Sequence, residues 1–307
     1  MRKKSKWLAV LLCCSIFAAM AIGSGSSSGE KKDVVSSDEK DGTTDSDDGT
    51  SDDTSKESVD VSIEEQVVVD IDGLKVTATE YADDSIWGEG IKLLVENNTD
   101  KTYTVGCDAL IVNDYMISDL FVAEVAAGKK SNETMYLSSS ELEAAGIDAV
   151  GKIEIYLHAY ESDDWTSYLF KDEYCEIQTS AYANMDTTVN DEGNELYNEG
   201  GIRIVGKTVD ENSFWGTAIL LYVENTSGAN VGISVEEMSI NGFMIDPIFS
   251  TTVYDGKKAF DDVTVFSSDL EENGIEKIEE VELKFHIYDA DSYSTICDSD
   301  PITFTAE

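Results

Sequence analysis

Beyond residue 66, apolar and polar side chains alternate at period two through most of the chain. Leu74, Val76 and Ala78 alternate with Lys75, Thr77 and Thr79, and Ile91, Leu93 and Val95 with Lys92, Leu94 and Glu96. Ile153, Ile155 and Leu157 do the same against Glu154, Tyr156 and His158. Val281, Leu283, Phe285 and Ile287 alternate with Glu282, Lys284, His286 and Tyr288. Successive side chains of a strand point to opposite faces, so this pattern predicts strands with one dry and one wet face, as in antiparallel sheets. Asn97-Asn98-Thr99-Asp100 and Asn225-Thr226-Ser227-Gly228 supply turn chemistry after a strand. Asn241-Gly242 suits a two-residue type I′ hairpin, and Asn113-Asp114 is its weaker counterpart. A helix of barely two turns interrupts the strands twice. Ser140-Glu141-Leu142-Glu143 and Ser268-Asp269-Leu270-Glu271 both fit a capping box, with Gly146 and Gly274 as C′ residues.

The pattern occurs twice. At a constant offset of 128, Trp87-Gly88 falls on Trp215-Gly216, Val95-Glu96-Asn97 on Val223-Glu224-Asn225 and Asn113 on Asn241. Gly128-Lys129-Lys130 falls on Gly256-Lys257-Lys258, Gly146-Ile147 on Gly274-Ile275 and His158 on His286. Roughly two dozen identities over about ninety ungapped positions, where chance gives about five, mark a duplicated domain. Near the end the register slips by one, so Cys175 and Ile177 answer Ile302 and Phe304. About seven short strands in a little over 100 residues read as an Ig-like sandwich. The expected fold class is therefore all-β: two tandem Ig-like antiparallel β-sandwich domains, each with one short helix. The copies cover residues 66–180 and 200–307, and residues 181–199, rich in Asn, Asp and Thr, read as the link between them.

What precedes the first copy reads differently. Arg2, Lys3, Lys4 and Lys6 lead an uncharged apolar run from Trp7 to Gly23, so residues 1–23 read as a signal peptide or an N-terminal anchor. A lipoprotein signal wants small residues just before a Cys, and Leu11-Leu12-Cys13-Cys14 places leucines there. Residues 24–65 are Ser, Gly, Thr and Asp with almost no apolar side chains, and read as a disordered acidic linker. Their Asp-rich centre is out of register for a calcium loop, since Thr44, Ser46 and Asp48 precede Gly49 at the positions that need acids.

Charge removes whole classes of partner. The 307 residues carry 21 Lys plus Arg against 63 Asp plus Glu, a formal net charge of −42. Nucleic acid and anionic membrane surfaces both need cationic groups on the protein, so contact with a membrane is expected only through the N-terminal segment.

Candidate chemistry is sparse. His158 and His286 sit on the wet face of their strands beside Tyr160 and Tyr288, and read as surface imidazoles hydrogen-bonded across the sheet. One His per copy cannot build a three-His zinc site, and no metal or cofactor is expected. Trp87 and Trp215 lie in loops just before a core strand. Each either closes one end of its sandwich, the favoured reading, or stacks on a partner. Export would permit a Cys107–Cys175 disulfide, although the second copy has no such pair. No nucleophile elbow, phosphate loop, dinucleotide fingerprint or convergent carboxylate pair is found, so no catalytic residue is assigned.

Leu93-Leu94-Val95-Glu96-Asn97-Asn98-Thr99, Ala127-Gly128-Lys129-Lys130 and Leu137-Ser138-Ser139-Ser140, with their second-copy equivalents, follow a signal segment and an acidic spacer. This arrangement resembles the Ig-like domains of unknown function on exported proteins and lipoproteins of Gram-positive bacteria. The resemblance implies an extracellular or cell-surface β-sandwich protein with no catalytic residues to transfer. The expected function is non-catalytic binding or adhesion to an unknown protein or glycan, with Trp87, Trp215, His158, His286, Tyr160 and Tyr288 as candidate contacts. The alternatives are a structural spacer or assembly domain of an envelope complex and, more remotely, a hydrolase.

Overall fold

A computed structural model describes residues 31–36, 61–84, 87–213 and 216–306. The expected signal or anchor over residues 1–23 lies outside the described residues. The described residues are mostly β, with 62% strand and 6% helix, and the chain divides into two compact units. Unit one holds residues 61–189, and unit two holds residues 31–36 together with 190–306. Strands are numbered in chain order.

In unit one, β2 (Gln66–Ile71), β3 (Leu74–Asp84), β4 (Gly88–Asn97) and β8 (Lys130–Tyr136) form an antiparallel sheet in the order β2-β3-β4-β8. A second antiparallel set runs β10 (Asp164–Gln178), β9 (Lys152–Glu161), β5 (Tyr103–Val112). Two short strands, β6 (Tyr115–Ile117) and β7 (Val122–Val125), pair with opposite ends of β5. Leu74, Val76, Ala78, Ile91, Leu93 and Val95 are buried, as are Ile153, Ile155, Leu157 and Ala159 from the other sheet. The period-two alternation is thus realised as two sheets that each hide one face.

Unit two repeats this order with β11 (Asn194–Glu199), β12 (Ile202–Ser213), β13 (Gly216–Asn225) and β17 (Lys258–Phe266). Its other strands are β14 (Val231–Ile240), β15 (Phe243–Met244), β16 (Ser250–Val253), β18 (Val281–Asp289), β19 (Thr295–Asp298) and β20 (Ile302–Ala306). The register slip is real. Cys175 and Ile177 pair with Ile155 and Ile153, while Ile302 and Phe304 pair with the equivalent Leu283 and Val281.

Two boundaries differ from the sequence reading. Asn194–Glu199 is strand β11 of unit two, because the free edge of β12 needs a partner and takes one even from a weakly amphipathic segment. Within the segment expected to be a disordered linker, Lys32–Ser36 forms β1 and lies between β12 and β20 of unit two. Ile63, in the same segment, bridges to Thr179.

The hairpins and helices test local chemistry. Asn113, Asp114, Asn241 and Gly242 all have positive φ, and Val112 pairs with Tyr115 as Ile240 pairs with Phe243. Both turns are two-residue type I′ hairpins. The helices Ser139–Ala144 and Ser267–Glu272 end as expected. Gly146 and Gly274 adopt φ of 69° and 66°, and Ile147 and Ile275 donate back to Leu142 and Leu270. That is a Schellman closure. The capping boxes do not form, since neither N-cap, Ser138 or Phe266, makes a side-chain cap bond. Each helix begins two residues earlier than the box requires, after an N-cap residue in extended conformation.

The turn asparagines matter most. Asn97 is buried, donates from Nδ2 to the carbonyls of Lys101 and Val125, and accepts from the Thr99 amide and hydroxyl. Asn225 makes the same four bonds, to Ala229, Val253 and Ser227. Each amide fastens the end of one sheet to a strand of the other. Replacing Asn97 or Asn225 by Ala removes four bonds and leaves buried backbone groups unmatched, so each variant should lose about 2–4 kcal/mol in urea unfolding. The exposed neighbour Asn98→Ala should change stability by less than about 0.5 kcal/mol.

Candidate functional site

The outer face of β9 carries Tyr156, His158 and Tyr160, since the intervening Ile155, Leu157 and Ala159 point into the core. His158 Nδ1 lies 2.6 Å from Asp108 Oδ1 on β5, and Asp108 Oδ2 accepts the Asp172 amide at 3.2 Å. The imidazole lies over Gly106, its cross-strand partner, where a Cβ would come within 2.6 Å of Nε2. Glycine at that position lets the ring lie flat against the sheet. Tyr160 stacks on His158 at 5.8 Å between ring centres, and Tyr168 from β10 meets both rings edge-on at 6.0 and 5.9 Å. Lys171 Nζ sits 3.6 Å above the Tyr168 ring. Tyr156 pairs with Tyr174 at 5.0 Å, and Trp165 on the same strand as Tyr168 is 71% exposed. The result is an aromatic shelf with one cation resting on it.

Unit two builds a smaller version. His286 Nδ1 lies 2.5 Å from Asp298 Oδ1, Tyr288 stacks on His286 at 5.7 Å, and Tyr293, 79% exposed, stacks on Tyr288 at 6.2 Å. Tyr288 lies against Gly232 across the strands. Glu236, at the position that answers Asp108, brings a second carboxylate, so one donor atom each from Glu236, His286 and Asp298 lies within 4.8 Å of the others. Such a set could hold a divalent cation, although exposed acids often converge without one. The carboxylate pair went unseen in the sequence because Asp298 is delivered by β19, which no alternation announces. Asp298 also borders a groove of about 430 Å³ between β11 and the β19–β20 segment, lined by Glu195, Tyr197, Glu199, Cys297 and Asp300.

The four predicted His and Tyr residues are thus brought together in pairs, and each imidazole is hydrogen-bonded across the sheet as its position on the wet face implied. Trp87 is not part of this shelf. It belongs to the turn between β3 and β4 on the other sheet, packs 6.2 Å from Tyr136, and is 49% exposed. It does not close the sandwich, contrary to the core reading, since about half of its surface stays exposed beside Tyr136. Trp215 lies outside the described residues. Tyr168 and Trp165 were missed because β10 pairs with β9 through repeated register shifts, which break the period-two signal, and Tyr293 because it lies in the turn between β18 and β19.

The described cysteines, Cys107, Cys175 and Cys297, are not bridged. Cys107 faces Asp119, and burial together with that acid pushes its thiol well above the usual range. Asp119 is itself raised by burial. Cys175 lies on β10, where Gln66 Nε2 approaches its sulfur at 3.0 Å, and burial raises this thiol as well. Each sulfur is engaged by a different partner, which overturns the disulfide reading. Cys297 Sγ meets Tyr197 Oη at 3.1 Å.

No protein family matches the chain, and no characterised protein matches it in sequence. Among solved structures, the Salmonella enterica SafA pilin in complex with the SafB chaperone matches at 11% identity, over 70% of this chain and 88% of that one. The TM-score is 0.20, too low to carry an argument.

Burial and raised thiol pKa values slow attack by an aromatic disulfide reagent, because the thiolate is the nucleophile. Among the described cysteines, the partly exposed Cys297 should react under native conditions ahead of Cys107, whose thiol is raised, and buried Cys175 should react only on unfolding. A denatured titre lacking the thiols of Cys107 and Cys175 would show a bridge.

Proposed function

We propose that this chain is a non-catalytic extracytoplasmic protein of two tandem Ig-like β-sandwich domains, acting as a cell-surface or secreted binding module of a Gram-positive-type bacterium. The observation that carries the reading is the twice-built aromatic shelf, His158–Tyr160–Tyr168 in unit one and His286–Tyr288–Tyr293 in unit two. Half-buried rings that brace an exposed one, Tyr168 or Tyr293, offer apolar surface at little cost in side-chain entropy, the property that enriches Tyr and Trp in binding sites. A sugar ring or a peptide fits such a surface, and two shelves on one chain gain avidity on a repeated ligand when both engage. The strong negative charge argues against nucleic acid and anionic membranes as ligands, and the export-like leader supports a location outside the cytoplasm.

Calorimetry of the exported chain against envelope polysaccharides and host surface proteins tests the proposal. A ligand that binds wild type should bind the Trp165→Ala/Tyr168→Ala variant at least about tenfold more weakly, the loss of two aromatic anchors. The Trp165→Ala change alone should leave the urea midpoint within error, because that ring is 71% exposed, whereas Tyr168 also packs on His158 and Tyr160 and its loss should lower the midpoint slightly. Heat of binding that survives both this variant and Tyr293→Ala would remove the shelves from the function.

A further inference from the structure

The two units close the seam between their sheets in different ways. In unit one the residues just ahead of β2 do it: Ile63 bridges to Thr179, and the Ser180 amide donates to the Ser62 carbonyl. Thr179 follows β10 and answers Ala306 of β20 under the one-residue slip. In unit two the residue that pairs with Ala306 is Val34. The same place is thus taken by Ile63 from the adjoining segment in one unit, and by a residue more than 150 positions upstream of the unit in the other.

The sequence explains the difference. The position in unit two that answers Ile63 is Asp191, which instead pairs with Arg203 Nη1 at 2.7 Å. Asp191 thus leaves an acid where unit one holds an apolar side chain, and Gly193, two residues on, passes close over the Gly206 carbonyl. The seam is shaped for an incoming side chain. Gly206 stands where unit one has Ala78, and a Cβ on it would lie 2.5 Å from Val34 Cγ1 and 3.2 Å from Leu196 Cδ1. Val34 fills this slot and is 3% exposed. Its neighbours secure the strand. Asp33 pairs with Thr208, Val35 with Thr305 and Ser36 with Phe304, and Lys32 Nζ meets Glu211 Oε2 at 2.7 Å. Lys31 adds charge attraction to Asp262, so a basic start docks on an acidic rim.

We infer that unit two is a strand-acceptor module, closed in cis by the chain's own Lys32–Ser36 strand and able to take that strand from a second copy of this chain. Three features favour exchange over a permanent plug. The strand is five residues long and buries one side chain, so its release breaks little. Residues 37–60, which separate it from unit one, hold one apolar side chain, Val59, and no sequence anchor that commits the strand to one groove. At full extension a segment of that length reaches about 80 Å, enough to serve a neighbouring molecule. Main-chain pairing with one pocketed side chain is the physics of β-strand addition. Both partners contain donor and groove, so exchange can close as a pair or continue as a chain. The inference rests on unit two alone and does not depend on the aromatic shelves binding anything.

The test joins the register pair Asp33 and Thr208. The Asp33→Cys/Thr208→Cys variant of the full exported chain is unfolded in urea, refolded between about 1 μM and about 1 mM, oxidised and run on a non-reducing gel beside the parent chain. Tethered partners have effective concentrations of order mM, so monomer should dominate at the dilute end. Covalent dimers and higher species should grow to a comparable fraction at the concentrated end, and to at least tenfold above their dilute level. Adding Gly206→Val, which fills the slot, should abolish both the internal crosslink and the covalent oligomers specific to the cysteine pair. Internally crosslinked monomer at every concentration overturns exchange. No specific crosslink at all overturns the acceptor assignment. Since Asp33 and Thr208 lie outside the core, loss of folding does not cloud the result, and far-UV circular dichroism of the variant at each concentration verifies this.

Discussion

A sheet that is dry on one side sets two demands at once: a second sheet must cover it, and the seam where the two meet must satisfy the edge amides of both. Everything distinctive in this chain follows from how those seams are closed. At one end of each unit a buried asparagine does so with four hydrogen bonds, taking the end of β4 or β13 to the strand that crosses from the opposite sheet. At another edge a backbone segment does so, and there the two units part company. Unit one uses Ile63, and unit two uses Val34.

Much of this was legible before any coordinates. Duplication, strand character, the I′ hairpins and the Gly-terminated helices are written locally, because each depends on residues within one turn or one strand. Asn97 and Asn225 announced a turn, although the bonds to Val125 and Val253 could not be read, since those partners lie 28 residues away. β1 was the least legible element. Lys31-Lys32-Asp33-Val34-Val35-Ser36 holds two apolar residues inside a polar run, too few for periodicity, and its partners are more than 170 residues distant. Its order is conferred by an open seam elsewhere, which no local window contains.

The candidate site shows the same division. Alternation alone put His158, Tyr160, His286 and Tyr288 on the wet faces, and there they are. The rings that complete the shelves come from β10 and the turn after β18, where bulges and turn geometry replace alternation. Trp87 illustrates the converse error. A large aromatic in a repeated motif invites a core assignment, yet it stays half exposed beside Tyr136. Burial is decided by the space that remains, and a sequence gives residue sizes without giving that space.

The divergence between the copies carries the larger point. Two domains that share a hairpin asparagine, a turn asparagine and a helix closure at matching positions began from one design, and such repeats keep what each needs to fold alone. Unit two lacks one such part: an acid stands where unit one holds an isoleucine, and a glycine opens the sheet beneath. An uncompensated lack would leave an apolar slot and unpaired edge groups in water, a standing invitation to any extended segment. The chain meets that liability with a strand of its own, guided by two lysines toward an acidic rim on a molecule of net charge −42. That solution ties residues 32–36 to a unit whose other strands begin more than 150 residues later. It also makes the stability of unit two depend on a segment that mass action can exchange, so that crowding of copies bears directly on how the unit is completed.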